Sequence, residues 1–177
     1  MTTTVNRERM ITFLLETPLF ENLDPEEIMQ VIHIVEVQQY QAGEIVFREG
    51  DGGDSWYVLY RGKAEVLKSS EAGEQLISTL EPGSCFGEIA ILDGLPRSAT
   101  IRVAEDSVVF HVPRTAFDGL LVKDDHVAYK LIYHMATLLA HRQRSTTERL
   151  SQLLVENELH EVHASIREIV GESSVRE

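Results

Sequence analysis

Between residues 36 and 112 the chain changes its hydrophobic period, and this change constrains the fold more than any other feature. Short apolar or alternating runs occur at Val37, Ile45-Val46-Phe47, Trp56 to Tyr60, Ala64 to Leu67, Gln75 to Leu80, Ala99 to Val103 and Val108 to Val112. Between them stand Ala42-Gly43, Gly50-Asp51-Gly52-Gly53-Asp54, Arg61-Gly62, Glu71-Ala72-Gly73 and Glu81-Pro82-Gly83. Alternation sends successive side chains to opposite faces of an extended chain, and the glycine and proline clusters end each run in a turn. Runs at such close spacing indicate an antiparallel arrangement and not alternating strands and helices. The pattern predicts roughly eight antiparallel strands arranged as a barrel or jelly roll.

Helices flank this region. Residues 8–35 read as helical, with an apolar stripe beginning at Met10, Phe13 and Leu14. A second helix start stands at Asp24-Pro25-Glu26-Glu27, followed by Ile28, Val31, Ile32 and Val35. Asp is a good N-cap, proline suits the first turn because its missing N–H is not needed there, and the glutamates favour the positive dipole end. After Pro113, Arg114, Phe117, Leu120 and Leu121 mark a short helix. Asp124-Asp125 then opens a long one through Val127, Leu131, Met135, Leu138, Leu139, Leu150, Leu153 and Leu154. Beyond Asn157, Leu159, Val162, Ile166 and Ile169 alternate spacings of three and four, as in a coiled coil. Gly171 reads as the stop of that helix, with the last six residues frayed. The chain therefore divides into N-terminal helices (1–36), a β-roll (37–113), C-terminal helices (114–154) and an amphipathic helical tail (155–177). Its class is α+β.

Charge and composition narrow the function. With 16 Lys and Arg against 29 Asp and Glu, the net charge is -13. Such a surface repels nucleic acid and anionic lipid, although a local cradle of N–H groups and one arginine still accommodates a small anion. The single cysteine, Cys85, allows no intramolecular disulfide and fits a reducing, cytoplasmic setting. The N-terminus has no apolar signal core, and no apolar stretch approaches a membrane span. Of the seven histidines, only His160 and His163 lie a helical turn apart, and they read as solvated or interface residues, so no metal is expected. Cys85 reads as a small buried residue. No nucleophile–base pair is visible, and no enzyme activity is expected.

The chemistry concentrates between Gly83 and Ile101. A strand reaching Phe86 is followed by Gly87 and by Glu88 to Leu92, enough for a helical turn whose opening N–H groups converge on one point. Asp93-Gly94-Leu95-Pro96 makes a turn, and Arg97-Ser98-Ala99 leads into the next strand. Arg97 can fork onto phosphate oxygens, Glu88 can accept from a sugar hydroxyl, and small Ser98 and Ala99 permit close backbone approach. Residue types alone favour a surface arginine and a chance Gly-Glu pair. The whole string, Phe86-Gly87-Glu88-Ile89-Ala90-Ile91 with Arg97-Ser98-Ala99-Thr100-Ile101, resembles the phosphate-binding cassette (86–100) of the cyclic-nucleotide-binding domain family. The glycine-rich turn Glu49 to Asp54, ahead of Trp56 to Leu59 and Gly62, is similar too, although Trp56 is bulkier than usual there. The resemblance covers about residues 15–154.

The resemblance implies roles. Glu88 would bind the ribose 2′-hydroxyl and Arg97 the cyclic phosphate, with main-chain or hydroxyl contacts from Gly87, Ser98 and Ala99. Val66, Ile77 and Ile89 fall where the family lines sugar and base with apolar groups, positions that equally suit barrel core. Leu139 to Leu150 resembles the central helix of the catabolite-activator branch, in which two hydroxyl residues meet the adenine 6-amino group, one from each subunit. Thr146 and Thr147 occupy those places, and Arg142 lies one turn earlier. The implied assembly is a parallel homodimer through the long helix. Cyclic AMP is the expected ligand. Cyclic GMP is the alternative, because a hydroxyl can also donate to the guanine carbonyl. That branch continues into a DNA-binding domain, whereas only 23 acidic-leaning residues follow Leu154 here, so DNA binding is not expected. A sensor signalling through a partner protein is the resulting expectation; a ligand-free scaffold and a minimal DNA-associated regulator are its rivals.

Overall fold

The computed structural model describes residues 6–122 and 126–173, with side chains as far as Glu156. Two compact units meet between Met135 and Ala136. In the first, α1 (Arg7–Glu16) starts at Asn6, whose side chain accepts from the Glu8 N–H. A 3₁₀ turn (Pro18–Phe20) and α2 (Pro25–Ile34) follow. The helical reading of residues 8–35 thus resolves into three pieces. Thr17 is extended, at φ -86° and ψ 129°, because the ring of the following proline disfavours the helical conformation. At α2 the Asp24 carboxylate accepts from the N–H groups of Glu26 and Glu27 at 2.9 Å, and Glu27 accepts from the Asp24 N–H at 2.8 Å.

Eight antiparallel strands form the centre: β1 (Glu36–Tyr40), β2 (Ile45–Phe47), β3 (Ser55–Arg61), β4 (Ala64–Ser70), β5 (Gly73–Leu80), β6 (Cys85–Phe86), β7 (Thr100–Val103) and β8 (Ser107–Pro113). They make two four-stranded sheets, ordered β1-β8-β3-β6 and β2-β7-β4-β5. Tyr57, Leu59, Ala64, Leu80, Phe86, Ile101, Val103 and Val109 form one apolar cluster inside. From Ser55 to Leu59 every residue of β3 is buried, because Trp56 on its other face packs against Phe20 and Phe117. Covered on both faces, that strand loses the polar alternation.

Helix α3 (Glu88–Asp93) lies between β6 and β7, and α4 (Arg114–Val122) follows β8. Helix α5 (His126–Ser173) gives its first residues to this unit, burying Val127, Ala128, Leu131, His134 and Met135 along one face. Lys130 on the same stretch donates to both Glu27 oxygens at 2.6 and 2.7 Å. The second unit is the remainder of α5, exposed throughout from Ala140 to Glu156. Gly171 does not end it, since the helix continues to Ser173. One glycine costs a helix only about 1 kcal/mol relative to alanine, which a long cooperative helix absorbs. The expected start at Asp124-Asp125 and the side chains of Leu159, His160, Val162, His163, Ile166 and Ile169 lie outside the described residues. Among the described residues, no helix is long and apolar enough to cross a membrane, and no group of three His, Cys, Asp or Glu could hold a metal ion.

Candidate functional site

Gly87 leaves β6 with φ 75° and caps α3 from the left-handed region, which favours a residue without Cβ. A Cβ there would stand 2.8 Å from Arg97 Nη1 and 3.3 Å from both the Phe47 and Tyr57 rings. The glycine therefore serves the turn and the arginine together. Behind α3, the turn ahead of β3 approaches as closely: a Cβ on Gly53 would lie 2.4 Å from that of Ala90.

Arg97 is 3% exposed. Burying a guanidinium demands partners, and the fold supplies them from three elements. Nη1 donates to the Gly87 carbonyl at 2.8 Å, while Nη2 donates to Asp54 Oδ1 and Ser55 Oγ, each at 3.2 Å. The Phe47 ring lies under the cation at 4.2 Å, a cation–π contact. Main-chain bonds fix the backbone, Arg97 N–H to the Asp51 carbonyl at 2.8 Å and Gly50 N–H to the Arg97 carbonyl at 2.9 Å. Arg97 Nε has no partner, although it is buried. Of the two anchoring oxygens, Ser55 is buried, whereas the Asp54 side chain is 88% exposed. Burial above all pushes the Tyr57 phenol up, against the lowering effect of its hydrogen bond with Ser55 and of Arg97. Its hydroxyl therefore stays protonated beside the guanidinium.

Glu88 occupies the first turn of α3 and is buried, 3% exposed, at the helix end where a carboxylate is favoured. Arg97 is thus bonded to Gly87 directly, and Glu88 follows Gly87 in the same turn. Ser98 is exposed and Ala99 half-buried on the stretch leading to β7. Val66 packs against the apolar cluster. Ile77 and Ile89 are exposed at 58% and 38%, near further uncovered apolar residues at Leu76, Leu92 and Leu95; neither is ordinary core. Arg142, Thr146 and Thr147 belong to the second unit and are exposed there. The Thr146 hydroxyl donates to the Arg142 carbonyl at 2.8 Å and that of Thr147 to the Gln143 carbonyl at 3.0 Å. Such back-bonding is how a mid-helix threonine satisfies its own donor.

Sequence reasoning missed the residues around Arg97. Asp54 was visible only as part of a turn, Phe47 and Tyr57 only as strand residues, and Ser55 as neither, since their role depends on long-range packing. Arg114 was likewise read only as a helix start. Its guanidinium donates to the carbonyls of Gly53, Ala90 and Ile91 at 3.1, 3.2 and 3.4 Å, so α4 holds the C-terminal end of α3.

Residues 37–124 match the family described as Cyclic nucleotide-binding domain. A cAMP-dependent protein kinase regulatory subunit of Emericella nidulans is 33% identical over 134 residues, 75% of this chain and 32% of the relative. The cGMP-dependent protein kinase 2 of Mus musculus is 33% identical over 134 residues, 74% of this chain and 18% of the relative. The chain thus spans a third or less of either. Among solved structures, the Thermus thermophilus catabolite activator protein superposes with a TM-score of 0.68 at 30% identity, covering 77% of this chain and 63% of that one.

Proposed function

Because this chain belongs, through residues 37–124, to the cyclic nucleotide-binding domain family, we propose that it is a regulatory sensor. It binds a cyclic nucleotide, cyclic AMP in preference to cyclic GMP, and signals to a partner protein through α5. The observation that carries this reading is the unpartnered Nε of a buried Arg97. A buried donor left unmet costs about 1–3 kcal/mol, and an arriving phosphate oxygen removes that cost. Nε and Nη2 share one edge of the guanidinium, so a phosphate accepting from both receives a fork. Nη2 can exchange its 3.2 Å contacts, which are long for charge-assisted bonds. The opening N–H groups of α3 and the main chain at Gly87, Ser98 and Ala99 add donors. Glu88 takes the ribose 2′-hydroxyl, and Val66, Ile77 and Ile89 line sugar and base.

The choice of base rests on Thr146 and Thr147, with Arg142 beside the ligand. Each hydroxyl proton is already given to a helix carbonyl. What remains is acceptor capacity, which suits the adenine amino group and not the guanine carbonyl. The eight antiparallel strands in two sheets support reading the fold as a jelly roll, and the protein acts in the cytoplasm as a binding module without enzyme activity or DNA contact. Exposed Leu150, Leu153 and Leu154 form a stripe at helical spacing, and the chain pairs through it as a parallel homodimer. Calorimetric titration with cyclic AMP, cyclic GMP and AMP tests the reading. Binding of cyclic AMP, weaker binding of cyclic GMP and none of AMP is expected. Absence of binding by either cyclic nucleotide would overturn it, and cyclic GMP binding more tightly would reverse the choice of base.

A further inference from the structure

Lys68 lies on β4, outside the cassette. Alternation along a strand places it on the face of Ala64 and Val66, both of which belong to or pack against the inner apolar cluster. Strand β4 pairs with β7 as far as Leu67 opposite Thr100, so Lys68 comes level with the residues that leave the cassette. Its ammonium donates to the Ser98 carbonyl at 2.8 Å and to Glu49 Oε1 at 2.5 Å. Glu49 is fixed in turn. Its Oε2 accepts from the Ser69 N–H at 3.0 Å, and its own N–H donates to the buried Thr100 hydroxyl at 2.9 Å. The hydrogen bond from Lys68, with that of the Ser69 amide behind it, holds the Glu49 carboxyl below the usual carboxylate range.

The consequence follows from peptide geometry. Among the described residues there is no cis peptide bond, and in a planar trans peptide the N–H points opposite to the C=O. The N–H of the Ser98–Ala99 peptide belongs to Ala99. A carbonyl tied to Lys68 therefore aims the Ala99 N–H away from Lys68. We propose that Lys68 is a positioning residue of the phosphate site: through the Ser98 carbonyl it orients the Ala99 N–H as a donor to the cyclic phosphate, and Glu49 holds Lys68 in place. This rests on the cyclic-nucleotide reading and adds to it a residue that the cassette motif does not contain.

Calorimetry on the full chain tests it, using cyclic AMP and the two diastereomers of its phosphorothioate, in which sulfur replaces one or the other exocyclic oxygen. Lys68→Met should weaken cyclic AMP binding about tenfold, the size of one charge-supported hydrogen bond. The affinity ratio of the two diastereomers should also move, because only one oxygen loses its donor. Lys68→Arg should restore most of the affinity, and Glu49→Gln should weaken binding severalfold by releasing Lys68. Unchanged affinity in Lys68→Met, or equal losses for both diastereomers, would overturn the proposal. So would tighter binding by Glu49→Gln, since Lys68 would then act by its charge alone. Thermal midpoints of the unliganded variants separate a folding defect from a binding loss: a Lys68→Met loss that tracks a lowered midpoint and is not rescued by Lys68→Arg also overturns it. Failure of the wild-type chain to bind cyclic AMP would instead sink the site reading, and this inference with it.

Discussion

At Gly87 one missing Cβ meets two demands, the left-handed turn into α3 and the space for Arg97 Nη1. Gly87→Ala should therefore do two kinds of damage. Backbone strain at positive φ and the displaced guanidinium should lower unfolding stability by about 1–3 kcal/mol, read by denaturant titration. Cyclic-nucleotide affinity should fall as well; a variant with wild-type stability and affinity would show that the close approach is not constraining. Glu88 and Arg97 could be singled out from the sequence because they stand with Gly87 in one short motif. Asp54 and Ser55 could not, although they bond Arg97 directly. They lie more than 40 positions upstream, and nothing local in Gly52-Gly53-Asp54-Ser55 says which cation it will meet.

Element by element, strong local signals survived intact. The Asp24 cap is one: Asp24, Pro25 and Glu27 specify the start of α2 from four consecutive positions, and the structure closes the reciprocal capping box there. Glu27 also receives Lys130 from α5, a contact between helices that no spacing rule exposes. Asp24→Ala should cost about 1 kcal/mol in denaturant unfolding; no loss would mean that the Glu27–Lys130 pair alone fixes this end. Where elements were misjudged, a competing local effect explains it. Pro18 interrupts the N-terminal helical stripe at Thr17, and Gly171 lacks the strength to stop a helix already 45 residues long at that point. The two-residue β6 (Cys85–Phe86) was readable only as the approach to Gly87, because so short a strand has no period of its own.

On the scale of the whole molecule, the sheets bring the cassette, the Gly50–Asp54 turn and the start of α4 to one place. Arg97 bonds the first two, and Arg114 bonds α3 and the turn from α4. Under the proposed reading, occupancy of the site would be felt at α4 through the Arg114 bonds, provided the ligand binds two arrangements with different affinity. The central claim is that a cyclic phosphate is held by Arg97 and its ribose by Glu88. The most direct measurement is the thermal stability of the wild type, Arg97→Ala and Glu88→Ala with and without cyclic AMP. At ligand about 100 times its dissociation constant, the wild type should gain about 2.7 kcal/mol, and both variants should gain almost nothing at the same concentration. A gain of similar size in both variants would contradict the account.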